Sequence, residues 1–183
     1  MAFEFERTSL SDVYLVDSPV HADDRGSLRE IYDEEAFSEY LPESGFTRTF
    51  YSRSREGVLR GLHQQEPPHA QSKLVSCLAG AVFDVAVDLR PESDTYGRAV
   101  TVELSESGTE SLLVPRGFAH GYLSLSDDTL VHYMTDEGYE PGSESGIHWA
   151  SDGIDVEWPR DDPTVSEKDD ALPTLGDYTA ARE

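Results

Sequence analysis

The chain has 183 residues, with 37 Asp and Glu against 14 Lys and Arg, a net charge of -23 spread along the whole sequence. That charge disfavours a nucleic-acid backbone as partner. No apolar stretch approaches a membrane span, and the N-terminus "MAFEFERTSL" has neither the basic nor the apolar region of a secretion signal, so a soluble, cytoplasmic protein is expected. The length and the absence of a linker suit one domain over residues 1–183. Dispersed acid with few lysines suits a protein that stays dissolved at molar salt, where self-repulsion is screened over roughly 3 Å, and a halophilic source is the expectation.

In chain order, short runs rich in valine, leucine and aromatics recur between turn signals: "VYLVD", "FTRTFYS", "KLVSCLAG", "VFDVAVDLR", "AVTVELS", "SLLVPRG", "GYLSLS" and "LVHYMT". The fourth alternates with period two, setting Phe83, Val85, Val87 and Leu89 against Val82, Asp84, Ala86 and Asp88. This predicts an all-β sandwich or barrel. One short N-terminal helix is predicted over Asp33 to Leu41, with Ala36, Phe37, Tyr40 and Leu41 as its apolar stripe. The Pro- and Asp-rich "WPRDDPTVSEKDDALPTLGDY" predicts an extended C-terminal segment, of the kind that lies across a barrel mouth. Cys77, alone in an apolar run, reads as a buried structural thiol.

Two stretches resemble the paired signatures of the cupin superfamily, a β jelly-roll barrel: "GVLRGLHQQEPPHAQSKLV", with Gly57 and His63 at the opening positions, and "PRGFAHGYLS", where Pro115, Gly117 and His120 form P-x-G-x-x-H. Metal-binding cupins are similar but add a second histidine and an acid, and here those places hold Gln65 and, around the acid, His69 and Ala70. Two imidazoles fall short of a divalent site, so no metal is expected. Arg60, His63 and Lys73 are predicted in or beside adjacent strands. A base beside an ammonium suits removal of a proton alpha to a carbonyl, with the ammonium stabilising the enolate oxygen.

Those stretches, together with "DVAVDLR" followed by Ser93 and Gly97, "VHYMTDEGYEPGSESGIHW" and "SEKD", resemble the dTDP-4-dehydrorhamnose 3,5-epimerase family from about Val13 to Leu175. The resemblance implies epimerisation of a nucleotide-linked 4-keto-6-deoxy sugar by a cofactor-independent homodimer serving glycan biosynthesis. It implies His63 as general base, Asp169 or the adjacent Asp170 as the carboxylate orienting it, Tyr133 as the acid on the opposite face, and Lys73 as the enolate-stabilising cation. Arg60 and His120 would face the sugar and its diphosphate, Tyr139 matches an aromatic position near the base, and the Gln65 and Gln71 amides would add contacts. Arg25 and Glu30 in "DDRGSLRE" match a segment whose arginine reaches the nucleotide of the neighbouring subunit, with Leu28 in place of the family phenylalanine.

One departure concerns the family's Q-x-N element, which here reads Arg48 and Phe50 in "TRTFYS". It adds a cation near the phosphates and removes hydrogen-bonding groups. His21, His69, His132 and His148 read as structural or solvated. The competing readings are a single-site 3-epimerase or 3,4-ketoisomerase, a metal-dependent cupin, and a cupin that binds sugars without turnover.

Overall fold

A computed structural model describes residues 2–42 and 45–182. In chain order the strands are β1 (Glu4–Arg7), β2 (Tyr14–Asp17), β3 (Val20–Asp23), β4 (Gly26–Arg29), β5 (Arg48–Ser54), β6 (Leu59–Gln65), β7 (Lys73–Ala79), β8 (Ala81–Asp88), β9 (Ala99–Ser105), β10 (Glu110–Val114), β11 (Phe118–Ser124), β12 (Thr129–Thr135) and β13 (Glu144–Gly146). Short helices occupy α1 (Glu34–Phe37), α2 (Glu167–Asp170) and α3 (Leu175–Ala180). One sheet runs β1-β2-β10-β7-β12-β5, a second runs β13-β6-β11-β8-β9, and β3-β4 forms a hairpin in neither. The two antiparallel sheets face each other as a jelly-roll barrel. No described helix is long and apolar enough to cross a membrane.

Period-two alternation explains how both sides of β8 are used. Val82 and Ala86 join Val75, Cys77, Leu112, Phe118, Tyr122 and Val131 in the core between the sheets. Val85, Val87 and Leu89 point the other way, yet they are buried too, because Ile147, Leu175 and Tyr178 cover them. Burying a side chain of this size contributes about 1.5–3 kcal/mol. That outer layer is where much of the C-terminal segment goes. It is not a wholly extended strap: Ser166 caps α2 by accepting from the Asp169 N–H, and Thr174 caps α3 by accepting from the Asp177 N–H. Upstream, Thr164 exchanges backbone hydrogen bonds with Gly57 and Leu59, which ties the segment alongside β6.

The predicted helix over Asp33 to Leu41 shrinks to the single turn of α1, capped by the Asp33 carboxylate. The Ser38 hydroxyl takes the Glu35 carbonyl at 2.7 Å, a local bond that competes with helix continuation. The apolar stripe still serves its purpose: Phe37 is fully buried with Val16, Leu74 and Leu113, and Tyr40 and Leu41 pack at the rim. Cys77 is buried, and that burial pushes its thiol up to about 11, in keeping with a structural role. At the end of β8, burial alone would raise the Asp88 carboxyl, but hydrogen bonds from Arg90, Ser93 and Thr95 outweigh it and hold it at about 2.

The feature of the fold that matters most to the site lies in β6. Residues three apart on a regular strand face opposite ways. Here His63 pairs with His120 while Arg60 pairs with Tyr122, so β6 spends one more residue than β11 over the same span. This is a β-bulge. It turns Arg60 and His63 into the same cavity and leaves Leu62 in the outer core. Gly61 makes it possible with φ +125, a conformation that L side chains rarely adopt. A Cβ at Gly61 would stand 2.6 Å from the Gly121 Cα.

Gly61→Ala is therefore expected to destabilise the fold by about 1–3 kcal/mol, lowering Tm by about 2–4 °C per kcal/mol in a chain of this size. Thermal unfolding checks this, and an unchanged Tm would mean that the bulge does not depend on the glycine.

Candidate active site

A cavity of about 500 Å³ opens between the two sheets. Its walls bring together Arg48, Phe50 and Ser52 from β5, Arg60 and His63 from β6, Lys73 from β7, His120 from β11, Tyr133 from β12 and Asp169 from α2.

The His63 Nε2 lies 2.8 Å from Asp169 Oδ1. A carboxylate only accepts, so Nε2 carries the proton and Nδ1 keeps the basic lone pair. The other Asp169 oxygen accepts the Gly61 N–H at 3.1 Å, a donor exposed by the bulge. Burial raises the Asp169 carboxyl, but His63, Gly61 and Ser166 outweigh it and hold the group below its ordinary range. Asp170 points elsewhere: it is exposed and stands 3.6 Å from His148. The cap at Ser166 decides which of the two acids turns inward.

Lys73 approaches from the opposite sheet. The expectation that Arg60, His63 and Lys73 lie in or beside adjacent strands is corrected: β6 and β7 belong to facing sheets and meet across the barrel. The Lys73 Nζ donates to the His63 carbonyl at 2.8 Å. Burial lowers this ammonium to about 8, against the opposing pull of Asp84 and Glu144. Tyr133, on the neighbouring strand β12, also lines the cavity. Burial, helped by Tyr122 and Asp84, pushes the phenol well above its usual value, opposed by Ser52 and Arg60.

His120 forms a second imidazole–carboxylate pair, with Nε2 2.8 Å from Asp84 Oδ1 and both groups buried. Asp84 was visible in the sequence only as one of two acids, with Asp88, in the phase of β8 that also holds Val82 and Ala86. Glu144 and Lys168 also line the cavity and were missed. They pair at 2.7 Å, and Glu144 accepts the Tyr139 hydroxyl at 2.7 Å. The one available signal was Lys168 sitting beside Asp169 in "SEKD".

At the mouth, Arg60 donates to the Ser54 hydroxyl at 3.1 Å. Arg48 lies over the Phe50 ring at 4.9 Å and over Tyr139 at 6.0 Å. Neither is among the ion pairs of the described residues, although the chain carries 37 acids. Gln71 gives its amide N–H groups to the Glu137 and Gly138 carbonyls, and Gln65 holds the same loop through Gly138 and Glu140 while also donating to the His69 carbonyl of the β6–β7 connection. These amides position the loop that carries Tyr139. Arg25 and Glu30 do not line the cavity: Arg25 is on the β3-β4 hairpin, its side chain 90% exposed beside Asp23, and Glu30 follows it in the exposed chain. Among the described residues no three His, Cys, Asp or Glu side chains converge as metal ligands.

Comparison with known proteins identifies the family of the chain. The family model described as dTDP-4-dehydrorhamnose 3,5-epimerase matches residues 7–177. The protein of that name from Escherichia coli (strain K12) is 45% identical over 172 residues, covering 92% of each chain, and that from Methanothermobacter thermautotrophicus is 44% identical over 171 residues, covering 91% of each. The crystal structure of the Elizabethkingia anophelis enzyme of the same name superposes with a TM-score of 0.91 at 38% identity, covering 98% of this chain and 100% of that one. The dTDP-6-deoxy-D-glucose-3,5-epimerase of Legionella pneumophila, solved with dTDP-4-keto-L-rhamnose, superposes with a TM-score of 0.90 at 36% identity, covering 95% and 93%. The chain belongs to the dTDP-4-dehydrorhamnose 3,5-epimerase family.

Proposed function

We propose that this protein converts dTDP-4-dehydro-6-deoxyglucose to dTDP-4-dehydrorhamnose by inverting the carbons on either side of the C4 ketone. One observation carries the reading: His63 and Tyr133 stand on facing sheets with the cavity between them. A sugar held there meets a base on one face and an acid on the other. His63 takes the proton from the carbon next to the ketone, and the electron pair moves to the C4 oxygen as an enolate. The Lys73 ammonium stabilises that oxyanion. Tyr133 then gives its proton to the opposite face of the same carbon, leaving a phenolate that is reprotonated from water while His63 releases its proton to solvent. A positioned base contributes roughly 10²–10⁴ in rate and an oxyanion donor about 10²–10³. Arg48 and Arg60 take the diphosphate at the mouth.

The enzyme is further proposed to be a cytoplasmic homodimer. The β3-β4 hairpin supports this: a lone two-stranded hairpin is marginal in water, and this one joins neither sheet and keeps His21 through Leu28 exposed. Strand β5 offers an edge beside the cavity, with Tyr51 67% exposed. In the dimer the hairpin packs on the partner, and Arg25 and Glu30 close the partner's cavity over the nucleotide.

Lys73 acts as a cation, so kcat/KM should fall as pH rises through about 8, where the ammonium is lost. Tyr133 stays protonated there because its phenol is raised well above 10. A pH–rate profile of Lys73→Arg, which cannot lose its charge in this range, should lack that limb. A limb that persists would assign it to another group. His63→Ala should lose roughly 10²–10⁴ in substrate proton exchange. Mixed with Arg25→Ala under conditions that exchange subunits, it should regain turnover above either variant alone, because each mixed dimer holds one complete site. No recovery would contradict the shared site.

A further inference from the structure

Phe50 occupies a place that core packing does not explain. It lies on the edge strand β5, is 40% exposed, and belongs to none of the apolar cores. It stands directly opposite Tyr133 in the β5-β12 ladder. The two rings stack with centroids 5.0 Å apart and planes 11° from parallel. On another side of Tyr133 the His120 ring meets it edge-on at 5.8 Å and 79°, itself held by Asp84. The Arg48 guanidinium in turn lies over the Phe50 ring at 4.9 Å. The phenol ring is thus held by two rings, one bound to Asp84 and one in contact with the Arg48 guanidinium.

We propose that Phe50 is the positioning residue of Tyr133, holding the phenol where proton return from its face outruns return from the His63 face. This rests on the reading of Tyr133 as the acid. The enolate has two fates once His63 has taken the carbon proton. A proton from Tyr133 completes inversion, with the phenolate recharged from water. A proton back from His63, which has meanwhile exchanged with solvent, restores the substrate with solvent hydrogen in it. The partition between them depends on where the phenol is held. An offset stack fixes that position and keeps water off the ring face. The amide that the family pattern carries at this place has no ring to stack, so this chain solves the same problem with a different side chain.

The test is the ratio of deuterated, uninverted substrate to inverted product when dTDP-4-dehydro-6-deoxyglucose is incubated with enzyme in heavy water. Phe50→Ala and Phe50→Leu should both raise that ratio by at least about tenfold, since a misplacement of about 1 Å in a reacting group costs up to about a hundredfold. Phe50→Tyr, which keeps the stack, should stay near wild type. Thermal unfolding of each variant identifies those that fold, and Phe50→Leu keeps the apolar bulk should Phe50→Ala fail. An unchanged ratio in a folded Phe50→Leu, whatever happens to KM, would make Phe50 a mere wall of the cavity and overturn the proposal. A wild-type enzyme that neither exchanges nor inverts would overturn instead the reading of the site on which it rests.

Discussion

The carboxylate of Asp169 is the joint on which the site hangs. One oxygen holds the His63 imidazole, the other holds the Gly61 N–H, and its own backbone amide is held by Ser166. Each part needs the others. Without the bulge at Gly61, His63 and Arg60 would not share a face and the N–H would be spent in the strand ladder. Without the cap at Ser166, α2 would not present Asp169 to the barrel. A hydrogen bond to a charged group contributes about 1.5–3 kcal/mol, and removing one partner leaves the rest of a buried charge unsatisfied. The same contacts that stabilise this carboxylate also fix the imidazole tautomer, so folding and the orientation of the base are set by one group.

Electrostatics divides the molecule into an acidic outside and a cationic pocket. Arg48, Arg60 and Lys73 face the cavity of a chain with net charge -23. In so little water an ammonium near a developing oxyanion acts far more strongly than it would in bulk. Lys73 is near the limit of that strategy, since burial has brought it to about 8 and Asp84 and Glu144 keep it from falling further. The buried Asp84 thus serves two groups of the site, through a hydrogen bond with His120 and at longer range with Lys73. Far from the pocket, the overall charge opposes an anionic substrate, a penalty that shrinks as salt shortens the screening length.

Much of the barrel was legible because strand alternation is a local property: the period in "VFDVAVDLR" marks both faces of β8 before any contact is known. The candidate side chains were legible as types in motifs. What was not legible is how they meet. That Arg60 and His63 share a face depends on one glycine's φ, and that Lys73 faces them depends on the sheet to which β7 belongs. Asp169 and Asp170 are equivalent on composition, and only the Ser166 cap separates them. The C-terminal segment read as extended because Pro and Asp dominate it, while Ser166 and Thr174, each followed three residues later by an Asp, were the overlooked cap signals. Glu144 left no local trace, and Lys168 only its place beside Asp169, since their pairing joins β13 to α2 across the mouth.

The central claim is that base and acid work on opposite faces of one sugar. It is tested most directly by incubating dTDP-4-dehydro-6-deoxyglucose with the protein in heavy water at molar salt and reading the carbons by NMR. The account predicts deuterium at both C3 and C5 of a product with both centres inverted. Label at C3 alone would contradict the two-carbon reaction, and a folded protein that leaves both carbons unlabelled would contradict the chemistry assigned to His63 and Tyr133.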